Sequence, residues 1–295
     1  MLHDKLSTKK EDRSIKALAQ NCLRHIRSLY EPNVIPMRGG MHYMEQTKYV
    51  TWNCEVLRGP IEVLHMTDIQ FGHVLCNEAR VVEYRDWILK EKNRYVVFGG
   101  DCIDAGNKIS VGSPWDQKLE PQGQVYRFCE LFAPMRHRIL GYVGGNHERR
   151  GVLTFGDLGS LIAHILEVPY SAGRQFLDFR FPKNYESFRM DLWHGKGAAQ
   201  TAGSKMQMLH RFMQSGDSQI YLVGHLHDAM VKFDWRILRQ PGQSRVKLIK
   251  IGGAMSSSFL DYFGSYAEVM GLTPSGLMMA RIIVEPSGRW ELTLR

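Results

Sequence analysis

The chain alternates between short apolar segments and longer amphipathic segments, and this alternation constrains the fold more than any other feature of the sequence. The apolar segments have the length of buried strands, and the segments between them repeat apolar residues at helical intervals. Strands that alternate with helices are typical of an α/β domain. The predicted strands are 61–67, 95–99, 138–143, 188–193 and 219–223, and the predicted helices are 78–92, 122–133, 156–167 and 200–214.

The two ends of the chain depart from this alternation. Residues 8–30 predict a helix that opens with capping-box spacing, and a β-rich segment at about 47–57 follows it. The apolar residues at helical spacing in the first segment are Ile15, Leu18, Cys22, Ile26 and Leu29. Further strands are predicted near 229–238, 245–251, 279–285 and 289–294. We therefore expect an N-terminal helix and lead-in at 1–46 and a single α/β domain at 47–295.

Polar side chains follow the predicted strands at the point where each strand ends. Asp68, Asp101 and Asn146 come soon after three of the strands, and His194 and His225 follow two later ones. In α/β folds the carboxyl ends of the strands form the edge at which ligands bind. We therefore expect these five side chains to lie close together although they are far apart in sequence.

In chain order, the loops after these strands contain five short motifs. They are Asp68-Ile69-Gln70, Gly100-Asp101-Cys102-Ile103-Asp104, Gly145-Asn146-His147-Glu148, His194-Gly195 and Gly224-His225-Leu226-His227. Any one of them occurs by chance, but all five in this order resemble the signature of the calcineurin-like metallophosphoesterase superfamily. The resemblance covers about residues 61–228. It implies an enzyme that hydrolyses phosphate esters, folded as a sandwich of two mixed β-sheets flanked by helices.

The resemblance also implies a pair of divalent metal ions, with Asp101 as the carboxylate that bridges them. It assigns one ion to Asp68, Gln70, Asp101 and His227, and the other to Asp101, Asn146, His194 and His225. Two ions about 3.5–4 Å apart hold the phosphoryl oxygens and create a hydroxide nucleophile at neutral pH. Mixed oxygen and imidazole ligands suit manganese, iron or zinc better than calcium.

A histidine beside the metal ligands is assigned a different role. By the resemblance, His147 is not a ligand but the acid that protonates the leaving oxygen, and Asp104 orients it. General acid catalysis of this kind needs a proton donor within reach of the scissile ester. A carboxylate partner raises the pKa of a histidine and keeps it available as an acid.

One position departs from the commonest pattern of the superfamily, and another departs from the pattern of its protein phosphatases. Gln70 stands where most members carry a histidine, and a neutral amide oxygen favours Mn²⁺ or Mg²⁺. The same glutamine occurs in the branch that resembles manganese-dependent ADP-ribose and CDP-alcohol diphosphatases. Ala105 stands where protein phosphatases carry an arginine that binds the phosphate. The alanine at this position argues against a phosphoprotein substrate.

The charge of the chain bears on its substrate. A net charge of +8 favours polyanionic partners such as DNA or RNA, although many basic enzymes never bind nucleic acid. Phe233 and Trp235, on a basic predicted hairpin, would suit stacking with bases, but their strand parity predicts core packing instead. The candidate substrate contacts within or near the motifs are Arg149, Arg150, Lys196 and His73, with an exposed surface role as the alternative for each.

Three functions remain open at this stage. The leading one is a nuclease-like phosphodiesterase, and the second is a small-molecule nucleotide phosphodiesterase or diphosphatase, which Gln70 favours. The third is a non-catalytic scaffold. It is disfavoured because the metal ligands and the acid are all present, and a scaffold does not need them. Five scattered cysteines, no signal-like N-terminus and no apolar run of about 18–20 residues predict a cytoplasmic protein without a membrane partner.

Overall fold

The predicted α/β sandwich is confirmed: the chain forms two mixed six-stranded sheets flanked by helices. The computed structural model describes residues 48–53, 59–107, 110, 115–150, 152, 156–181, 187–239, 246–269, 271 and 274–295. The predicted helix at 8–30 lies outside the described residues, so the division of the chain at residue 46 stays a prediction.

The first sheet contains the N-terminal strand and most of the second half of the chain. Its strands are β1 (Lys48–Asn53), β6 (Arg174–Arg180), β7 (Phe188–Trp193), β8 (Ile220–Val223), β9 (Met230–Arg239) and β10 (Val246–Met255). They are ordered β1-β6-β7-β8-β10-β9. The pairs β6–β7 and β9–β10 are antiparallel and the other pairs are parallel.

The second sheet is built from the strands that alternate with helices and from the C-terminal hairpin. Its strands are β2 (Ile61–Met66), β3 (Arg94–Phe98), β4 (Ile139–Val143), β5 (Tyr170–Ser171), β11 (Ala280–Val284) and β12 (Trp290–Leu294). They are ordered β12-β11-β2-β3-β4-β5. The strands from β2 to β5 are parallel, and β11 is antiparallel to both of its neighbours.

Helices cover the outer faces of both sheets. They are α1 (Glu78–Lys90), α2 (Pro121–Phe132), a 3₁₀ helix (Ala133–Arg138), α3 (Asn146–Arg149), α4 (Leu158–Leu166), α5 (Ala202–Met213) and α6 (Tyr266–Val269). Asn77, Asp157 and Thr201 cap α1, α4 and α5 by accepting backbone N–H groups, as N-cap residues do. Within the described part of the chain, no helix is long and apolar enough to cross a bilayer.

Three apolar clusters hold these layers together. One lies between the two sheets, a second packs α1, α2 and α4 on the second sheet, and a third packs α5 on the first sheet. Strands such as β3, β4 and β8 are buried because layers cover both of their faces, which explains why they are continuous apolar runs in the sequence. This packing fixes the carboxyl ends of β2, β3, β4, β7 and β8 at one edge of the sandwich.

Several features differ from the sequence-based expectations. Strand β5 was not predicted because it has only two residues, and strand β6 was not predicted because the charged residues Arg174, Asp178 and Arg180 interrupt its apolar pattern. The prediction that Phe233 and Trp235 pack in the core was wrong, because both rings are exposed on the β9–β10 hairpin. Phe233 stacks on Trp290 of β12, the edge strand of the second sheet, with 6.2 Å between ring centroids, whereas Trp235 is 63% exposed.

Candidate metal centre

Five loops meet at the common edge of the two sheets, and the backbones of three of them are strained. Non-glycine residues rarely have positive φ, and each such residue costs of order 1–3 kcal/mol unless its surroundings hold it in place. Such residues cluster at ligand-binding sites. Among the described residues, five of the seven non-glycine residues with positive φ are predicted ligands: Asp68 (49°), Gln70 (48°), Asp101 (49°), His225 (70°) and His227 (48°).

The first group of predicted ligands consists of Asp68, Gln70 and His227. The Nε2 atom of His227 lies 3.1 Å from Asp68 Oδ1 and 3.1 Å from Gln70 Nε2. Asp68 Oδ2 accepts hydrogen bonds from the Thr67 hydroxyl and the His225 amide. Asp68 Oδ1 is buried and faces His227 Nε2, so these two atoms could share a cation.

The second group brings together Asp101, Asn146, His194 and His225. The Nε2 atom of His194 lies 3.2 Å from Asp101 Oδ2 and 3.1 Å from Asn146 Oδ1. Asp101, His194 and His225 each place one ligand atom within 4.8 Å of the others. Carboxylate and imidazole groups in this arrangement could hold a metal ion.

Backbone carbonyls fix the tautomers of two of these histidines. His194 Nδ1 donates to the carbonyl oxygen of Gly99 over 2.8 Å, and His225 Nε2 donates to that of Gly197 over 2.8 Å. Because a carbonyl oxygen only accepts, the other ring nitrogen carries the lone pair when the ring is neutral, and a metal ion could bind there. Metal-binding histidines commonly donate their second ring N–H in this way.

The site concentrates negative charge in a buried place. Burial lowers the pKa of His194, but the charge and hydrogen bond of Asp101, together with Asp68, raise it to about 10. Burial also raises the pKa of the Asp101 carboxyl, yet the neighbouring His147 and His194 hold that pKa well below its usual range. The buried, ionised carboxylates of Asp68 and Asp101 favour the binding of cations.

His147 and Asp104 form a hydrogen-bonded pair beside the predicted ligands. His147 Nδ1 lies 2.9 Å from Asp104 Oδ1 and 2.9 Å from the Asp104 carbonyl oxygen, while the His147 amide donates to Asp101 Oδ1 over 2.8 Å. Burial lowers the pKa of His147, but the charge of Asp101 and the hydrogen bond to Asp104 outweigh this and raise it. The pair has the arrangement of a general acid and the carboxylate that orients it.

Two of the four candidate substrate contacts lie at the site and two are exposed beside it. The Nη2 atom of Arg150 lies at a distance of 2.8 Å from His147 Nε2. The Nη1 atom of Arg150 donates a hydrogen bond to the Asp104 carbonyl oxygen over 2.9 Å. His73 is buried, and its amide donates to the Gln70 carbonyl oxygen over 3.1 Å. Arg149 and Lys196 are exposed.

A buried glutamate connects the second and third motifs, a role that the sequence analysis did not assign. Glu148 Oε2 accepts from the amides of Asp101 (3.0 Å) and Gly145 (2.9 Å). Its Oε1 accepts from the Cys102 amide (2.7 Å) and the Tyr142 hydroxyl (2.8 Å). The sequence signal for this role is the acidic residue that directly follows His147 in the third motif.

Two glutamines that no motif marks hold Asp104 and its loop in place. The Gln117 side-chain amide donates to Asp104 Oδ2, and its oxygen accepts from Gln124 Nε2 over 2.7 Å. Gln124 Oε1 in turn accepts from the Ala105 amide over 2.8 Å. Neither residue could have been found from motif spacing, because both belong to later segments that fold back onto the loop.

We expect Glu148→Gln to lower the free energy of unfolding by about 2–3 kcal/mol, because an amide NH₂ group would then face backbone N–H donors in a buried site. Denaturant unfolding measures this change. The matched control is Glu130→Gln, whose side chain is exposed and pairs with Arg127 at the surface, and its effect should stay within about 0.5 kcal/mol. Equal stability of the two variants would contradict the role of Glu148.

Comparison with known proteins adds little to this geometry. No protein-family model matches the chain, and no curated protein matches it. A solved structure of a conserved uncharacterized protein of Streptococcus pneumoniae, described as a predicted phosphoesterase, is similar over 80% of this chain and 98% of that chain. Its TM-score is 0.34 and its sequence identity is 15%. Similarity at this level carries no weight for function.

Proposed function

We propose that this chain is a metal-dependent phosphodiesterase of the metallophosphoesterase superfamily, of the nuclease-like kind. The observation that supports this most is the placement of one ligand atom each from Asp101, His194 and His225 within 4.8 Å of one another. The His147–Asp104 pair touches the same cluster, because the His147 amide donates to Asp101. A cation site and a potential proton donor thus adjoin each other, as phosphodiester hydrolysis requires.

The residues present fit a pair of divalent ions. The buried Oδ1 of Asp68 and the ring nitrogens of His194 and His225 that do not face a backbone carbonyl are donors of the right chemistry. We assign one ion to Asp68, Gln70, Asp101 and His227, and the other to Asp101, Asn146, His194 and His225. When bound, such ions polarise the phosphoryl oxygens and lower the pKa of water. The neutral oxygen of Gln70 favours manganese.

The remaining side chains of the site would act on the substrate directly. His147 would give its proton to the leaving oxygen, with Asp104 fixing the ring through Nδ1 at 2.9 Å. Arg150 carries a permanent charge and five N–H donors at the same place, which suits a phosphate oxygen. His73 is held by backbone contacts next to Gln70 and is the fourth polar group at this end of the site.

Two substrate classes compete for this site. The net charge of +8 and the exposed cations Arg149 and Lys196 beside the motifs favour a polyanionic chain, DNA or RNA, whose neighbouring phosphates they would contact. A small nucleotide diester or diphosphate is the alternative, and Gln70 favours it through the branch of the superfamily that shares this residue.

A substrate panel with purified protein and Mn²⁺ tests the proposal. It contains bis-p-nitrophenyl phosphate, single- and double-stranded DNA, RNA, ADP-ribose and cyclic nucleotides. We expect turnover of the model diester and of a nucleic acid, loss of both on chelation, and nucleic-acid cleavage that weakens steeply with salt. Turnover of ADP-ribose or cyclic nucleotides alone would establish the small-molecule alternative. No turnover of any substrate would favour a scaffold.

A further inference from the structure

The β9–β10 hairpin carries one exposed face with large apolar side chains. Side chains alternate between the two faces of a strand, and residues opposite each other in the antiparallel register share a face. Trp235 lies opposite Lys250, and Ile237 lies opposite Leu248. We call the face formed by residues 233, 235, 237 and 239 of β9 and residues 246, 248 and 250 of β10 the platform. Its five apolar side chains are between 44% and 66% exposed, and a surface group of this kind marks an interaction site.

The hairpin combines these apolar side chains with positive charge. Its two strands contain five basic residues and one acidic residue, Asp234. The single carboxylate is already paired, with Asp234 Oδ2 3.5 Å from Lys232 Nζ. Arg239 and Lys250 belong to the platform itself, and both are exposed. Because the charge of the hairpin is positive, the platform suits a polyanion better than a neutral or basic partner.

An aromatic ring stands beside a cation on the platform. Lys250 Nζ lies 4.2 Å from the centre of the Phe233 ring. Trp235 follows Phe233 on the same face, about 7 Å further along the strand, and is directly opposite Lys250. An exposed indole next to an ammonium group offers a stacking surface for a base and a charge for a phosphate. The faces of bases are accessible in a single strand, so this arrangement suits a single strand rather than a duplex.

Contacts made by the other face of the hairpin hold the platform in place. The Arg236 guanidinium donates from Nη2 to the Met213 carbonyl oxygen over 2.6 Å and to the Tyr221 hydroxyl over 3.0 Å. Asp234 Oδ2 lies 3.4 Å from Nδ1 of His210 on α5. These contacts use even-numbered residues of β9, so they anchor the strand without using the platform. A surface anchored in this way needs little ordering when it binds a ligand.

The platform lies within reach of the metal centre but is separate from it. Strand β9 begins at Met230, three residues after His227. Strand β10, which pairs with β9, is followed by Ser258, whose hydroxyl donates to the Asp68 carbonyl oxygen over 2.9 Å. Trp235 is five residues along β9 from Met230, or about 17 Å. At a rise of about 3.4 Å per nucleotide, roughly five nucleotides would span this distance.

We infer that the platform binds single-stranded nucleic acid, with Trp235 stacked on a base and with Arg239 and Lys250 beside phosphates. The inference deepens the proposed function, and its link to catalysis rests on that function, because it names the polyanion that the metal centre would cleave. A small diester is too short to touch both places. The platform would therefore affect the binding of oligonucleotides and not of small nucleotides.

Binding of oligonucleotides to the full chain tests this inference without turnover. Fluorescence anisotropy is measured with fluorescein-labelled oligothymidylate and oligouridylate of about 20 nucleotides, in EDTA to prevent metal-dependent cleavage. We expect Trp235→Ala to weaken binding by about 5–100-fold, because one stacked base is lost. Trp235→Phe, which keeps an aromatic ring, should stay within about threefold of the unmodified chain. The matched control is Tyr126→Ala, which removes an exposed ring on α2 and should change the affinity by less than about twofold.

The salt dependence of binding gives a second measurement. Arg239→Gln should reduce the slope of log Kd against log salt concentration by about one, because one phosphate contact is lost. A duplex of the same length should bind more weakly than the single strand. Unchanged affinity in Trp235→Ala, a duplex that binds as tightly as the single strand, or no binding of either oligonucleotide at low salt would each overturn the inference.

The outcomes distinguish this inference from the proposed function. Binding that depends on Trp235, in a chain that turns over no substrate, would support the platform and refute the phosphodiesterase. Cleavage of nucleic acid with an affinity that Trp235→Ala leaves unchanged would do the reverse. Dimerisation or binding to phosphatidylglycerol vesicles that Trp235→Ala abolishes, without binding of oligonucleotides, would also overturn the inference. The occupant would then be a second copy of the chain or a membrane surface.

Discussion

His225→Ala is expected to reduce phosphodiester turnover by at least about a thousand-fold. A metal ion contributes several kcal/mol of transition-state stabilisation, and each 1.4 kcal/mol changes the rate about tenfold. His225 is a member of the cluster with Asp101 and His194, and its Nε2 hydrogen bond to Gly197 leaves Nδ1 as the ligating atom. The variant should also hold less manganese per chain, which atomic emission spectrometry after dialysis would measure.

A second histidine provides the control for this variant. His210 lies on α5 with its Nδ1 3.4 Å from Asp234 Oδ2 of β9, away from the five loops. His210→Ala should keep both turnover and metal content. The His225 amide, which donates to Asp68 Oδ2, is retained in His225→Ala, so the fold around the loop should survive. Wild-type turnover and metal content in His225→Ala would remove this residue from the proposed centre.

His147→Ala should lower turnover of an ester with a poor leaving group by about 10²–10⁴-fold while leaving the metal content unchanged. The side chain contacts Asp104 and Arg150 and is not assigned to either ion. The loss should be much smaller for bis-p-nitrophenyl phosphate, because its leaving group needs little help from an acid. Comparing the two substrates separates loss of the acid from general damage to the site.

An exposed histidine supplies the control for the acid. His137 lies in the 3₁₀ helix, outside the five loops, and His137→Ala should behave as the unmodified chain with both substrates. Equal losses with good and poor leaving groups in His147→Ala would refute the role as acid. Loss of metal in that variant would make His147 a ligand instead.

Much of the fold was predictable because its strands are buried on both faces. Strands such as β3 and β8 appear in the sequence as short apolar runs, and α1, α2, α4 and α5 were predicted to within about two residues at each end. The convergence of Asp68, Asp101, Asn146, His194 and His225 followed from their positions after strands. Convergence of this kind requires only that the carboxyl ends of the strands meet at one edge.

Other features depend on contacts that no local pattern contains. Glu148 acts through backbone amides of two separate loops, and Gln117 reaches Asp104 from a later segment. The exposure of Trp235 depends on where β12 ends, which the hairpin's own alternation does not show. Local periodicity gives the face to which a side chain points, but the extent of the opposing layer decides whether it is buried.

The proposed centre holds two divalent ions at the common edge of the sheets, with Asp101 between them. Anomalous X-ray scattering from crystals soaked in Mn²⁺ would locate each ion. We predict two manganese peaks about 3.5–4 Å apart, one against Asp68 and His227 and the other against Asn146 and His194, with the Asp101 carboxylate touching both. No peak among these residues at saturating Mn²⁺, or a single peak without Asp101 as a ligand, would contradict the account.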